Sequence, residues 1–262
     1  MKALITGASR GIGRAIAQRL AHDGAQVAIC ASSHADELET LRQEITQAGG
    51  VAVPLIGDLT QEDTPARLIA QASDALGGLD AVIGNAGISQ PGKLAELDIA
   101  DWDRVFSVNL KSQWLLAKAA YPWLKLSQGS MVVVGSMCGV QPYAGLGAYS
   151  CTKAGLIMLT RQLAQEWASD QIRVNCISPG FVVTPLTQPL YDQPEVKAAR
   201  QALVPLGRIA HADSDIAGMV AFLLSDQATY MTGQNLLVDG GLLDSVQTHI
   251  SGRPRTAVQA QS

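Results

Sequence analysis

Charge is what this chain has little of. Asp, Glu, Lys and Arg together make up 16% of its 262 residues, below the roughly 25% usual in soluble domains. Much of its surface is therefore expected to be buried, in a large core or between subunits. The balance of 19 basic against 23 acidic residues gives a formal charge of −4, and no Lys/Arg cluster interrupts it, which argues against nucleic acid as a partner. Long hydrophobic runs are missing too: nothing approaches the roughly 18 to 20 apolar residues of a membrane helix, and Lys2 to Gly7 is too short for a secretory signal. No membrane partner and a cytoplasmic location are expected. Cys30, Cys138, Cys151 and Cys176 form no CxxC pair, and His22, His34, His211 and His249 show no ligand spacing. Reduced thiols and no metal site follow.

Turning to what is there, the chain alternates short apolar runs with helical patterns. Ala3-Leu4-Ile5 ends at Thr6-Gly7, after which Ile12, Ala15, Ile16 and Leu20 recur at helical spacing. Further strands are expected at 27–30, 51–53, 81–83, 131–134, 173–176 and 235–238. Helices are expected near 38–45, 65–76, 102–126, 149–168 and 215–224. Val- and Ile-rich runs without alternation suit parallel strands covered on both faces, joined by right-handed crossovers. The pattern predicts a single α/β domain over 1–241, with about seven strands in a doubly wound parallel sheet. A barrel is the alternative, but a glycine turn after the first strand favours an open sheet with its ligand at the strand carboxyl ends. Two stretches break the rhythm: residues 184–208, rich in proline and a candidate lid, and the tail 242–262, whose polar end reads as disorder.

Thr6-Gly7-Ala8-Ser9-Arg10-Gly11-Ile12-Gly13 places three glycines between a buried strand and an amphipathic helix, where backbone N–H groups and the helix dipole can meet a pyrophosphate. At the end of the second strand, Cys30-Ala31-Ser32-Ser33-His34 carries no carboxylate to repel a 2′-phosphate. Ser32 and Ser33 offer hydroxyls there and Arg10 a charge, so NADP(H) is favoured; Asp36 and Glu37 nearby keep NAD(H) possible.

Tyr149 and Lys153 lie four residues apart at the start of a predicted helix and so share a face. A neighbouring ammonium and an oxidised nicotinamide would favour the phenolate, bringing the Tyr149 hydroxyl towards a workable acid/base range. Ser136, at the carboxyl end of the 131–134 strand, can hold a substrate oxygen. Cys151, inside this motif, reads as a small packing residue.

Taken together with Asp58-Leu59, Asn85-Ala86-Gly87, Asn109, and Pro179-Gly180-Phe181-Val182-Val183-Thr184, all in order, the chain resembles the short-chain dehydrogenase/reductase family, with a Rossmann-type fold. The resemblance implies that Gly7, Ser9, Arg10, Gly11, Ile12 and Gly13 hold the pyrophosphate side. It places Asp58 and Leu59 at the adenine, Asn85, Ala86 and Gly87 along the adenosine, and Pro179, Gly180, Val182 and Thr184 by the nicotinamide. Tyr149 becomes the general acid/base, Lys153 also a ribose ligand, and Asn109 the support of a relay water.

By the same resemblance the substrate pocket includes Gln90, Ser136, Met137, Cys138, Gln141, Tyr143, Tyr149, Phe181 and Leu186 to Tyr191. The set suits a small polar, sugar- or polyol-type, or ring carbonyl compound, and no carboxylate-clamping arginine is evident. Reduction of a 3-oxoacyl-[acyl-carrier-protein] ranks second. Leu126 to Gly129 and Ser169-Asp170-Gln171 lack the basic residues that would receive an acidic carrier. A non-catalytic dinucleotide-binding regulator ranks third, because Asn109, Ser136, Tyr149 and Lys153 are all present. Trp114, Leu115, Tyr121, Leu156, Met158 and Leu163 make the long helices more apolar than one sheet face requires, and a homotetramer is expected. Residues 242–255 are expected to reach a neighbouring subunit.

Overall fold

The structure, a computed structural model, describes residues 1–245. It opens with β1 (Lys2–Thr6), α1 (Gly11–His22), β2 (Gln26–Ala31), α2 (Ala35–Gln47), β3 (Val51–Ile56), α3 (Thr64–Leu76) and β4 (Ala81–Gly84). A long helical stretch follows as α4 (Ile99–Phe106), a π turn over Ser107–Lys111, and α5 (Ser112–Ser127). Then come β5 (Ser130–Val134), α6 (Tyr149–Trp167), β6 (Arg173–Pro179), β7 (Val182–Val183), α7 (Gln188–Tyr191), α8 (Pro194–Leu203), β8 (Ala210–His211), α9 (Gly218–Leu224) and β9 (Asn235–Val238).

The sheet order is β3-β2-β1-β4-β5-β6-β9 and every pairing is parallel. Chain order thus runs outward from β1 to one edge, returns, and runs to the other. This is the doubly wound arrangement, with its switch point between β1 and β4. All seven predicted strands are present. β7 and β8 form a separate two-stranded ladder at the root of the 184–208 stretch, which folds as α7 and α8.

Side-chain alternation along each strand divides the core into two layers. Ala3, Ile5, Val27 and Ile29 pack beneath α1, α2 and α9, while Leu4, Ala28, Val82 and Val133 face α3, α5 and α6. Coverage on both faces holds for the inner strands. The edge strand β3 departs from it: Val51 and Ile56 are exposed, and Pro54, which cannot donate to a ladder, sits where an edge tolerates it. Leu156 and Leu163, expected to be surplus apolar surface, belong to the second core layer, and of the six residues named for that surplus Trp114 and Met158 are the exposed large ones. The tail beyond Ser245, with its expected crossing to a neighbour, lies outside the described residues.

Candidate active site

The site grows from the turn between β1 and α1. Gly7 and Gly11 adopt φ of +64° and +60°, a left-handed backbone that glycine enters without a Cβ penalty. At Gly13 the constraint is space: a Cβ would come 2.2 Å from the Gly7 carbonyl oxygen. The turn is braced from β4 by Thr6, whose hydroxyl donates to the Ile83 carbonyl (3.3 Å) and accepts from the Asn85 and Ala86 N–H groups (3.1 Å each). Asn85 returns the favour through Nδ2, donating to the Thr6 and Gly7 carbonyls at 3.0 and 3.1 Å. No side chain caps the start of α1, so first-turn N–H groups stay available at the positive end of the helix dipole.

A cleft of about 390 Å³ opens there. Its walls include Gly7, Ser9, Arg10, Gly11, Ile12, Ser32, Asp58, Leu59, Asn85, Ala86, Gly87 and Thr184 from the expected set. A glycine cradle, an uncapped helix start and a ribose-side wall without a carboxylate fit a dinucleotide, and would hold its pyrophosphate, adenosine and ribose respectively. Ser33 is not on the wall; its hydroxyl is engaged by His34 Nδ1 at 2.8 Å. His34 itself lines the cleft, whereas Asp36 and Glu37 do not. Pro179 is buried, Val182 packs into the core, and a Cβ on Gly180 would touch Asp239. These three shape the chain leading to Thr184, which approaches Gly11 across the cleft. Motif reading takes in Thr6 without its bracing role and misses Arg104. Arg104 lines the cleft and its charge helps hold the Asp58 carboxyl below its ordinary range, behind two hydrogen bonds from Thr60. On α4 its spacing is that of any solvent-facing helix residue, so nothing local could have marked it.

The four catalytic candidates come from three different elements and converge. Ser136, just beyond β5, is buried and its Oγ accepts from the Cys138 N–H at 3.1 Å. Tyr149 and Lys153 project from the first turns of α6, with Nζ 5.6 Å from the Tyr149 ring centre. Lys153 is buried and donates to the Val134 carbonyl at 2.9 Å. Burial pulls its ammonium down to about 8 and pushes the Tyr149 hydroxyl up to about 12, while a hydrogen bond from Ser136 works against that rise. The expected phenolate calls on an oxidised nicotinamide as well as the ammonium; in the protein by itself, burial is the largest influence on the Tyr149 hydroxyl and raises it.

Asn109 occupies the π turn, a distortion frequent at functional sites. Its Oδ1 accepts from the Ile88 N–H (2.8 Å), and Nδ2 donates to the Ile88 carbonyl (2.9 Å) and to Thr152 Oγ1 (3.1 Å). Both amide protons are used, so the side chain ties the segment after β4 to α6. Gly87 brings the cleft against this latch, since a Cβ there would meet Asn109 Oδ1 and Lys153 Nζ at 3.4 Å.

Of the expected substrate residues, Cys138 is buried beside Ser136, and Gln90 meets the loop that carries Gln141 and Tyr143. The Gly92 N–H donates to the Gly145 carbonyl, and the Gly147 N–H to the Gly92 carbonyl. Tyr143 is 59% exposed, and the Gln90 side chain donates to Asp101. Phe181 stands at the carboxyl end of β6, under the guanidinium of Arg200. Cys151 is exposed, not packed.

Known proteins agree with this architecture. Residues 7–243 match the family model described as enoyl-(acyl carrier protein) reductase. The 3-oxoacyl-[acyl-carrier-protein] reductase FabG of Staphylococcus aureus is 37% identical over 92% of this chain and 97% of its own. Glucose 1-dehydrogenase of Gluconobacter oxydans is 36% identical over 92% and 91%. Among solved structures, an Agrobacterium tumefaciens protein assigned as a 2-deoxy-D-gluconate 3-dehydrogenase, with NADP bound, superposes with a TM-score of 0.84. It is 35% identical, over 92% of this chain and 96% of that one.

Proposed function

Because the chain belongs to the short-chain dehydrogenase/reductase family, oxidoreductases acting on CH–OH groups, we propose that it interconverts a ketone and a secondary alcohol by direct hydride transfer, with NADP(H) preferred. The single observation that carries this reading is the convergence of Ser136, Tyr149 and Lys153, with Asn109 latched behind them, beside a glycine-cradled cleft. When bound, the nicotinamide supplies or accepts the hydride.

The protein's own groups handle the oxygen and the proton. Ser136 Oγ holds the substrate oxygen. Tyr149 gives its hydroxyl proton to that oxygen in reduction and takes one from the alcohol in oxidation. Its burial keeps the hydroxyl protonated at rest, which readies it for reduction. Lys153 contributes positive charge beneath the ring and a donor towards the ribose. Asn109 is a positioning residue whose amide protons are both engaged, so a relay water would be held through an acceptor, its Oδ1, which takes one hydrogen bond from Ile88 and has a second lone pair.

For NADP(H), the support is the cleft wall: Arg10 and Arg104 bring two positive charges, Asp58 is the lone carboxylate among the lining residues, and none stands at the end of β2. The substrate we assign is a small polar or sugar-type carbonyl compound, which suits the mixed amide and apolar residues Gln90, Gln141, Cys138 and Phe181. A second reading, reduction of a carrier-bound 3-oxoacyl chain, draws on the Staphylococcus relative. Against it, Lys125, the basic group nearest the expected docking surface, is paired with Asp170 at 2.9 Å, which leaves little charge for an acidic carrier.

The test follows absorbance of the reduced nicotinamide with NADPH and NADH over sugars, polyols, free ketones and 3-oxoacyl thioesters. Turnover with NADPH on the polar ketones, and a loss of about 10²- to 10⁴-fold in Tyr149→Phe with dinucleotide affinity retained, is the expected result. Full turnover in Tyr149→Phe removes the acid/base assignment. Faster oxidation of NADPH with the thioesters promotes the second reading.

A further inference from the structure

The 184–208 stretch carries a cation whose setting its other contacts do not explain. Arg200, on α8, places its guanidinium 4.9 Å from the centre of the Phe181 ring and 5.6 Å from that of Tyr191. Among the described residues its one polar contact is a long hydrogen bond of 3.3 Å from Nη1 to the Tyr191 hydroxyl. Among the described residues no carboxylate pairs with it, as none pairs with Arg10, Arg67, Arg104, Arg161 or Arg173, while Arg14, Arg19, Arg42 and Arg208 each have one; what sets Arg200 apart is its place between two aromatic rings. A guanidinium has five N–H donors in a planar fork. Here the two rings hold its plane and restrict its rotamers, while most of the donors are unspent.

The ring beneath it fixes where those donors stand. Phe181 leaves the carboxyl end of β6, the strand next to β5, from which Ser136 emerges; the Gly135 N–H donates to the Ile177 carbonyl and holds the two strand ends level. Three residues beyond Phe181, Thr184 reaches the glycine turn. The Phe181 carbonyl accepts from the Ala210 N–H, so the root of this connection is pinned on both sides. Arg200 therefore lies over Phe181, two residues past the end of β6 and three before Thr184, on the segment that leads to the glycine turn.

We infer that Arg200 is a specificity-determining residue that receives an anionic group of the substrate, a carboxylate, so that the substrate is an oxo or hydroxy acid. A fixed fork with free parallel donors matches a carboxylate bidentately, and aromatic packing pre-organises it at little entropic cost on binding. Neutral sugars or cyclic ketones would leave a half-buried cation unpaired. The inference rests on the oxidoreductase reading above.

The probes are acetoacetate, levulinate and 5-keto-D-gluconate, each beside its methyl ester, with NADPH. In the wild type the acid of at least one pair is the better substrate. Arg200→Met raises KM for that acid about 10- to 100-fold, the range that charge-assisted hydrogen bonds supply, and leaves KM for its ester and for NADPH within about twofold. Arg200→Lys keeps a point charge without the fork and falls between, and it stands in if the Met variant does not fold. A purely structural staple would move acid and ester together, and that outcome overturns the inference. So does a wild type that prefers every ester. A raised KM for NADPH alone assigns the arginine to a cofactor phosphate and also overturns it. Calorimetry of each acid against the NADP⁺ complex separates the two levels: Arg200-dependent binding without turnover keeps the anion site and removes hydride transfer on these ketones, whereas no binding of any acid removes the anion site.

Discussion

Lys153 shows how burial and function meet in one side chain. Its ammonium has left water, donates to the Val134 carbonyl, and is pulled down to about 8 from 10.5. Between those values the unfolded chain binds a proton that the folded protein does not, so the stability contributed by this group rises with pH from about 8 to 10.5 and is flat below. Relative to Lys153→Met, the wild type should gain on the order of 3 kcal/mol across that window. Urea denaturation of both proteins at pH 7, 9 and 10.5 checks it, and a constant difference would show that the ammonium is not desolvated. The four-residue spacing from Tyr149 was readable along the chain. The direction of both titrations was not, because it depends on how much solvent the folded neighbours exclude. The same limit applies to Cys151, whose place inside a motif suggested packing while the fold leaves it exposed.

At the scale of elements, the β1–α1 turn works because β4 braces it. Thr6→Val keeps shape and removes the acceptor for the Asn85 and Ala86 N–H groups, a loss of about 2 kcal/mol. Thermal melts should show it, and dinucleotide titration should show weakened binding while KM for the ketone changes less. An unchanged dinucleotide affinity would mean that the turn holds its shape without β4. The glycines themselves were legible, since a turn needing positive φ and a close helix–strand approach restricts residue type locally. The brace was not, because Thr6 and Asn85 are 79 positions apart. Asn109 is similar: the family resemblance singled it out, yet its latch onto Ile88 and Thr152 exists only where three elements cross.

For the whole molecule, the surface between α4, α5 and α6 offers an apolar groove lined by Phe106, Leu110, Trp114, Met158 and Leu159, with Trp114 45% and Met158 59% exposed. Such a face suits a second copy, and we expect a homotetramer. Met158→Glu should shift sedimentation at micromolar concentration towards smaller species while the dinucleotide still binds; a monomeric wild type would overturn the expectation. Order and type of the seven sheet strands and of the helices between them, the glycine turn and the Tyr149–Lys153 spacing were decided along the chain, whereas the short elements β7, α7, α8 and β8 and the π turn at Asn109 were not. Periodicity of 2 or 3.6 and the φ limits of glycine act over a few neighbouring residues. Folding alone decided which residues of distant elements meet: Arg104 in the dinucleotide cleft, Arg200 over Phe181, and Asp170 against Lys125. It also decided which of the long helices' apolar residues are core and which are free. Those outcomes depend on how elements tens of residues apart cross and exclude water, and no local pattern in the chain encodes that.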